Sequence, residues 1–332
     1  MPQLLIDFLR TNFYPTAYNL QSLGVGMFSE AYRFSVSKST LGTSTPDDTT
    51  LVIRIGVNRE AFEKDQLVYE RLGASVSVPR VLGLGEYNEN RFYCFSEWKP
   101  GRILTDFDKE ETERLLPSLF ENLLRISRVL PTPSTDFGIL TGTGQCREPY
   151  RTWADFISTI DDFPSTFTPR GNEIYKPWAD LYATTFLDKS LVDEAHQRLY
   201  VLLPFLPNDR HYVHGDFGYE NALADGDQVT AILDWAELRC GDWLYDLAYL
   251  AYHDSLGIDY LGNFQQWAAT NSLQVPNFIE RIEAYFLAIF LGNIFLEANR
   301  GQRDWYEEDV TKFKRQLADR HGYPRRLSTD RY

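Results

Sequence analysis

HGDFGYEN (214–221) and AILDW (231–235) are the two segments that decide the fold class of this chain. In the first segment, a short strand that ends in a loop can present the carboxylate of Asp216 to an acceptor hydroxyl. Asn221 follows five residues later, and Asp234 stands at the end of the next predicted strand. Amide and carboxylate oxygens hold a metal ion against phosphates. The order and spacing therefore predict phosphoryl transfer, with Asp216 as general base and Asn221 and Asp234 as metal ligands.

These two segments and GDWLYDLA (241–248) together resemble the aminoglycoside and choline kinase superfamily. VPRVLGLG (78–85) is similar to the strand after the family's first helix, and FSEWKPG (95–101) is similar to its inter-lobe hinge. YRTWADFI (150–157), HGDFG and LDWAE resemble the hygromycin B phosphotransferases within it. The resemblance covers nearly the whole chain. It implies an α+β, bilobal protein-kinase-like fold with a small antiparallel β-rich N-lobe and a larger helical C-lobe.

Strand patterns dominate the first hundred residues and helical patterns dominate the rest. Residues 31–36 and 51–55 predict a hairpin with a long polar tip, and 61–72 predict a helix. Lys99-Pro100-Gly101 ends the strand pattern, so the domain boundary is placed there. We therefore expect a nucleotide-binding N-lobe over residues 1–98. The C-lobe, with the catalytic loop and the substrate pocket, should span residues 99–332.

The N-lobe contains a short glycine-bearing segment, LGVGMFS (23–29), that resembles the phosphate-covering loop. Glycines allow a close approach of the backbone to phosphates. The expected contacts are Gly24, Gly26 and Ser29. An ordinary hairpin turn explains the same segment equally well, so both interpretations stay open.

Arg54, in the strand LVIRI, occupies the place where the family usually has a lysine paired with a glutamate of the first helix. Arginine keeps the positive charge and can contact two phosphate oxygens. The apolar register of the helix favours Asp65 over Glu63 as its partner. Backbone groups of the hinge are expected to contact the adenine base, namely those of Ser96, Glu97 and Trp98.

Acceptor contacts are predicted from charge, because an aminoglycoside is a polycation that carboxylates and polar groups can bind. The candidates lie after the catalytic loop begins and are Glu220, Glu237, His253 and Glu297. His214 and His211 could form a zinc site, but no third ligand is near in sequence. His214 is expected instead to hold the catalytic loop, and Asp242 and Asp246 to cap or brace the helix that follows.

The bulk composition limits the partners. Among 332 residues, Asp and Glu number 47 against 33 Lys and Arg, for a net charge of −14. Such a surface repels nucleic acid and anionic membranes and attracts cations. Three widely spaced cysteines, without a C-x-x-C motif, argue against a disulfide framework and a structural zinc. No signal peptide or apolar run long enough to span a bilayer is apparent, so a cytoplasmic protein is expected.

The implied reaction uses ATP or GTP with Mg²⁺ to phosphorylate a hydroxyl of an aminoglycoside such as hygromycin B, an antibiotic-resistance activity. One alternative is a kinase of an endogenous amino alcohol, sugar or amino acid. A second is a nucleotide-binding pseudokinase, which the presence of Asp216, Asn221 and Asp234 disfavours. The sequence leaves the oligomeric state open.

Overall fold

The computed structural model describes residues 2–26, 29–37, 48–132, 136–159 and 175–318. The chain divides into two compact units, and each unit is assembled from three separate stretches of sequence. The first unit comprises Met1–Pro133, Leu140–Gln145 and Gly218–Leu238. The second comprises Ser134–Ile139, Cys146–Phe217 and Arg239–Tyr332.

An antiparallel five-stranded sheet in the order β1-β2-β3-β5-β4 forms the largest part of the first unit. Its strands are β1 Ala17–Val25, β2 Ser29–Val36, β3 Thr49–Gly56, β4 Val81–Asn88 and β5 Arg91–Glu97. Alternate residues of β2 and β3 point into the core, where Phe34 and Ile53 are fully buried. Helix α1 (Pro2–Asn12) adds Leu5 and Leu9 to the same core. Burial of these apolar side chains fixes which face of the sheet α1 covers.

Two longer helices and a second small sheet complete the first unit. Helix α2 (Arg59–Leu72) begins where the Asn58 side chain accepts a hydrogen bond from the Ala61 amide. Helix α3 (Lys109–Ser127) begins at a capping box formed by Asp108 and Glu111. The small sheet has the order β10-β9-β6. Its strands are β6 Arg102–Ile103, β9 Ala222–Asp225 and β10 Gln228–Ile232.

Helices dominate the second unit, which also contains the small sheet β7-β11-β8. The strands are β7 Gly138–Ile139, β8 His211–Val213 and β11 Arg239–Gly241. The helices are α4 Trp153–Ser158, α5 Trp178–Thr184, α6 Lys189–Leu202, α7 Leu244–Tyr252, α8 Tyr260–Thr270, α9 Phe278–Arg300 and α10 Arg303–Ala318. Helix α9 is apolar on most of its circumference and buries residues along its whole length, so it is the central helix of this unit.

The predicted α+β class, with an antiparallel β-rich beginning and a helical remainder, is confirmed. The helix α1 and the short strands β6, β7, β9 and β11 were not predicted. The first unit extends past residue 98 because β9 and β10 return to pair with β6. The functional boundary between residues 98 and 99 stays a prediction. No helix among the described residues is long and apolar enough to cross a membrane.

Candidate active site

Arg54 on β3 forms an ion pair with Asp65 on α2, inside the first unit. Both side chains are largely buried. Glu63, two residues earlier on the same helix, instead pairs with Arg59 on the exposed side, with Arg59 Nε 2.8 Å from Glu63 Oε1. The helical register that favoured Asp65 over Glu63 thus gives the observed pairing. The role of this pair toward a nucleotide remains a prediction.

The charge of Arg54 is stabilised by two carboxylates. Burial lowers the pKa of Arg54, but the negative charges of Asp65 and Asp234 outweigh that effect and hold the pKa above its ordinary value. The same surroundings bury the Cys94 thiol, and burial raises its pKa to about 11. The first unit therefore keeps a permanent guanidinium cation within electrostatic reach of Asp234, one of the predicted metal ligands.

Helix α2 also holds the backbone that directly follows Asp234. The Trp235 amide donates to Asp65 Oδ1 at 3.1 Å, and Lys64 Nζ donates to the Ala236 carbonyl at 2.6 Å. Lys64 is only 3% exposed, so this charged side chain lies inside the unit. Asp234 itself has a φ of 55°, a left-handed conformation that is uncommon for a non-glycine residue. Such conformations persist where the surroundings fix them, and here two residues of α2 do so.

Asn221 and Asp234, the two predicted metal ligands, are brought close together by a backbone bond. Asn221 ends a 3₁₀ turn (Tyr219–Asn221), and its carbonyl accepts the Leu233 amide at 2.8 Å. Leu233 directly precedes Asp234, so the amide and the carboxylate start from neighbouring positions. Mg²⁺ is usually bound by one or two such side chains, and phosphates and water supply the other oxygens. The donor set fits magnesium on a nucleotide.

The alternative of a zinc site gains no support from the structure. Across residues 2–26, 29–37, 48–132, 136–159 and 175–318, no group of three His, Cys, Asp or Glu side chains could hold a metal ion. His214 instead lies in the loop that carries Asp216, whose amide donates to His214 Nδ1.

The segment predicted to cover phosphates joins β1 to β2. The Gly26 amide donates to the Ser29 carbonyl at 2.8 Å, and Gly24 has a φ of 146°, which favours glycine. Met27 and Phe28 lie outside the described residues. This geometry belongs to a tight hairpin connection. It is compatible with both interpretations of the segment, so contacts from Gly24, Gly26 and Ser29 to phosphates stay a prediction.

The three predicted hinge residues have contacts within the first unit. The Glu97 amide donates to the Arg80 carbonyl at 2.9 Å, so this N–H has a protein partner at the end of β5. Ser96 is buried, and the Trp98 ring faces the Arg33 guanidinium, 5.5 Å from the ring centroid. Base recognition by the backbone of Ser96, Glu97 and Trp98 remains a prediction.

In the second unit, Asp246 braces the loop that carries Asp216. Asp246 lies in the first turn of α7 and accepts the backbone amides of His214 at 2.7 Å and Gly215 at 2.8 Å. Burial raises its pKa to about 6, while the hydrogen bonds from these two amides act in the opposite direction. The Asp216 amide donates to His214 Nδ1 at 3.2 Å. The buried His214 ring and Asp246 therefore fix the backbone that carries Asp216. The sequence predicted this role for His214, whereas Asp246 was expected to brace the following helix.

A buried ion pair lies next to this loop. Asp242 is fully buried and accepts Arg281 Nε at 2.8 Å and Arg281 Nη2 at 2.6 Å. The Tyr285 hydroxyl also donates to Asp242 and in turn accepts Trp153 Nε1 at 3.0 Å. Sequence reasoning assigned Asp242 a structural role but missed Arg281, because a lone arginine in an apolar helix carries no local signal for its distant partner.

The four acceptor candidates fall into two groups. Glu220 and Glu237 belong to the first unit, and His253 and Glu297 belong to the second. The structure brings His253 and Glu297 together at one cavity of about 270 Å³.

Lys64 was not among the predicted site residues, since a lysine on a helix is normally expected at the solvent side.

A comparison with known protein families assigns the chain to one of them. Residues 58–276 match the phosphotransferase enzyme family, which is well over half of the chain, so the chain belongs to this family and is a small-molecule kinase. Among curated proteins, it is similar to the Hygromycin-B 4-O-kinase of Escherichia coli. The two are 28% identical over 298 residues, which cover 86% of this chain and 76% of that protein.

Solved structures agree in fold. The chain is similar to aminoglycoside phosphotransferase APH(4)-Ia, with a TM-score of 0.73 and 26% identity over 93% of this chain and 96% of that one. A thermostable mutant of that protein, in a ternary complex with ADP and hygromycin B, matches with a TM-score of 0.72, 26% identity and coverage of 93% and 95%. A more distant structure, the GDP and kanamycin complex of APH(2")-IIia, shares only the fold at 16% identity, a TM-score of 0.61 and coverage of 96% and 99%.

Proposed function

We propose that this chain transfers the γ-phosphate of ATP or GTP to a hydroxyl of an aminoglycoside such as hygromycin B. The observation that carries the proposal is the ordered set Asp216, Asn221 and Asp234 in a member of the phosphotransferase family. The similarity to Hygromycin-B 4-O-kinase supports this choice of acceptor. The nucleotide complexes of the similar structures support the choice of donor.

Each residue has a chemical role in this proposal. Asp216 accepts the proton of the acceptor hydroxyl and orients its oxygen for in-line attack. Asn221 and Asp234 would hold Mg²⁺, which when bound neutralises charge on the transferring phosphoryl group. Arg54, fixed by Asp65, contacts phosphate oxygens in the place of the usual lysine. The bracing of the Asp216 loop by Asp246 keeps the base in one orientation, which limits the reorganisation needed for reaction.

The acceptor is expected to be cationic. A net charge of −14 and the predicted contacts Glu220 and Glu237 would attract a polycation with many hydroxyls. A neutral sugar would gain nothing from these carboxylates as counter-ions. The carboxylates therefore favour an aminoglycoside over a weakly charged metabolite.

The decisive test is nucleotide turnover coupled to product detection with the purified full chain. Hygromycin B, other aminoglycosides and choline are compared as acceptors with Mg-ATP and Mg-GTP, and phosphorylated product is identified by mass. We expect acceptor-dependent ADP or GDP formation with hygromycin B, and a rate about 10²–10⁴-fold lower with Asp216→Asn. Turnover with choline alone would favour an endogenous kinase. Nucleotide binding without turnover of any acceptor would favour the pseudokinase alternative.

A further inference from the structure

The second unit contains a cavity whose shape and charge the phosphoryl-transfer mechanism above does not use. Its volume is about 270 Å³, and it lies where the end of α7 meets the last turns of α9 and the middle of α10. The side chains that matter are those of His253, Glu297, Trp305, Asp309 and Lys312. All of them belong to the second unit, so the cavity is defined within one compact body.

Glu297 is the unusual residue of this cavity. It is only 6% exposed, yet its Oε2 atom has no hydrogen-bond partner among the described residues. Buried carboxylates are normally paired or hydrogen-bonded, since removing an isolated charge from water is costly. Burial, together with repulsion from Asp309 and Glu308, raises the pKa of Glu297 to about 8, although Lys312 acts against this. A buried carboxyl group without a hydrogen-bond partner favours a ligand that carries a positive charge and a hydrogen-bond donor.

Lys312, a cationic residue that lines the cavity beside Glu297, is already paired with two other carboxylates. Lys312 Nζ lies 2.9 Å from Glu308 Oε1 and 3.3 Å from Asp309 Oδ1. Asp309 also accepts Asn293 Nδ2 at 2.8 Å. Lys312 is therefore held by two other carboxylates, and neither of these ion pairs involves Glu297.

The other charged or titratable groups at or beside the cavity are His253, Arg300 and Tyr252. Burial lowers the pKa of His253 to about 4, so its ring is neutral at physiological pH, and its Nε2 has no partner among the described residues. Arg300 also lines the cavity but donates to the Tyr175 hydroxyl at 3.2 Å. Tyr252, beside His253, has its pKa raised well above the ordinary value, by burial first and then by the charge of Asp309. Among the described residues, none of these groups donates a hydrogen bond to Glu297 Oε2.

The rim of the cavity offers an aromatic face. Trp305 is 61% exposed although it lines the cavity, and an indole face attracts an organic cation. A volume of about 270 Å³ is at the small end for ligand sites, so it suits a compact amine rather than a drug-sized molecule.

We propose that this cavity binds an alkylammonium group, with Glu297 as its counter-ion, a neutral His253 nitrogen as a second partner and Trp305 covering the carbon chain. An ammonium has three rotatable donors and a compact charge, which match one carboxylate oxygen and one unprotonated imidazole nitrogen. The site lies at the far end of α7 from Asp246, which braces the catalytic loop. The two residues are separated by about 10 Å along the helix axis. The inference rests on the second unit alone and does not require the proposed phosphotransfer.

Binding of an ammonium is expected to displace the proton of Glu297. The affinity for an amine should therefore rise between pH 7 and pH 8.5, as the carboxyl ionises, and a proton should be released on binding. Neither effect is expected of an ammonium that simply collects at exposed carboxylates, which are ionised throughout this range.

The test is isothermal titration calorimetry of the full chain with 1,4-diaminobutane and with ethanolamine, without nucleotide, in two buffers of different ionisation enthalpy. We expect saturable binding with proton release and at least a tenfold loss of affinity in Glu297→Gln. The matched control is Glu307→Gln, because Glu307 is an exposed glutamate on α10 that pairs with Arg303. The control variant should bind like the wild type. Circular dichroism of each variant checks that it is folded.

A competition experiment with hygromycin B distinguishes two possible sources of the ammonium group. If hygromycin B displaces the diamine and Glu297→Gln raises the acceptor KM, the ammonium belongs to the phosphotransfer acceptor. If hygromycin B leaves the diamine bound, the cavity takes a separate small amine. The proposal is overturned if neither amine saturates the protein at millimolar concentration, or if Glu297→Gln binds as tightly as the wild type. A loss of phosphotransfer with intact amine binding would contradict only the proposed function.

Discussion

At the scale of single residues, Asp216 and Asp234 are expected to separate chemistry from nucleotide binding. Asp216→Asn removes the proton acceptor but no metal ligand, so kcat should fall by about 10²–10⁴-fold. The nucleotide dissociation constant from calorimetry should stay unchanged. Asp234→Ala removes a carboxylate ligand and should weaken Mg-nucleotide binding as well as turnover. Near-normal turnover of Asp216→Asn would exclude it as the base.

The buried pair of Asp242 and Arg281 should be a large contributor to the stability of the second unit. Arg281→Met leaves Asp242 buried without its cation, which costs about 3–5 kcal/mol. Urea denaturation of the wild type and of Arg281→Met measures the difference in the free energy of unfolding. Lys189→Met is the control, because Lys189 and Asp193 form a pair on the surface of α6 and exposed pairs contribute little. Equal losses in both variants would show that Asp242 is not dependent on Arg281.

Glu297 should give the free protein a pH-dependent stability. The folded state holds this proton up to a pKa of about 8, whereas an unfolded glutamate releases it near its ordinary value. The free energy of unfolding should therefore fall as the pH rises from about 5 to about 8, and Glu297→Gln should lose this decline. Thermal melts of wild type and Glu297→Gln across that range measure it. A difference in Tm that stays constant with pH would contradict the raised pKa.

At the scale of elements, helix α2 couples the arginine of β3 to the segment around Asp234. Lys64→Met removes the bond to the Ala236 carbonyl, and a hydrogen bond to a charged group contributes about 1.5–3 kcal/mol. We expect the KM for Mg-nucleotide to rise by about tenfold while the acceptor KM stays close to that of the wild type. Glu63→Gln, on the exposed side of the same helix, should change neither constant. Parallel changes in both KM values would indicate general destabilisation instead.

The same helix shows how far sequence alone could reach. The periodicity of its apolar residues favoured Asp65 over Glu63 as the partner of Arg54, because helical register is a local property. Lys64 was missed, since its partner Ala236 is far away in sequence and only the fold reveals the contact. Strands β6, β7 and β11 are two or three residues long, too short for an alternating pattern to develop. The meeting of Glu297 with His253 had no sequence signal either, because it depends on the packing of α9 against α7.

At the scale of the whole molecule, the net charge of −14 should steer a cationic acceptor. Screening by salt weakens this attraction, with a Debye length of about 8 Å at physiological ionic strength. The acceptor KM should therefore rise from low to high salt at fixed Mg-nucleotide, while a nucleotide-only titration corrects for salt effects on the donor. A flat profile would favour a weakly charged metabolite as the acceptor and would leave the kinase assignment intact.

The first unit is assembled from stretches that lie far apart in the chain, and this has a consequence for its synthesis. Strand β6 ends at Ile103, but its partner β9 begins only at Ala222. On a ribosome that adds roughly 5–20 residues per second, β6 waits on the order of 10 s for its neighbour. The five-stranded sheet is complete by Glu97 and can form during that delay, whereas the segment that holds Asn221 and Asp234 cannot be placed until much of the second unit has been translated. Nascent chains arrested before β9 should therefore carry a protease-resistant β-sheet without the segment that holds the predicted metal ligands.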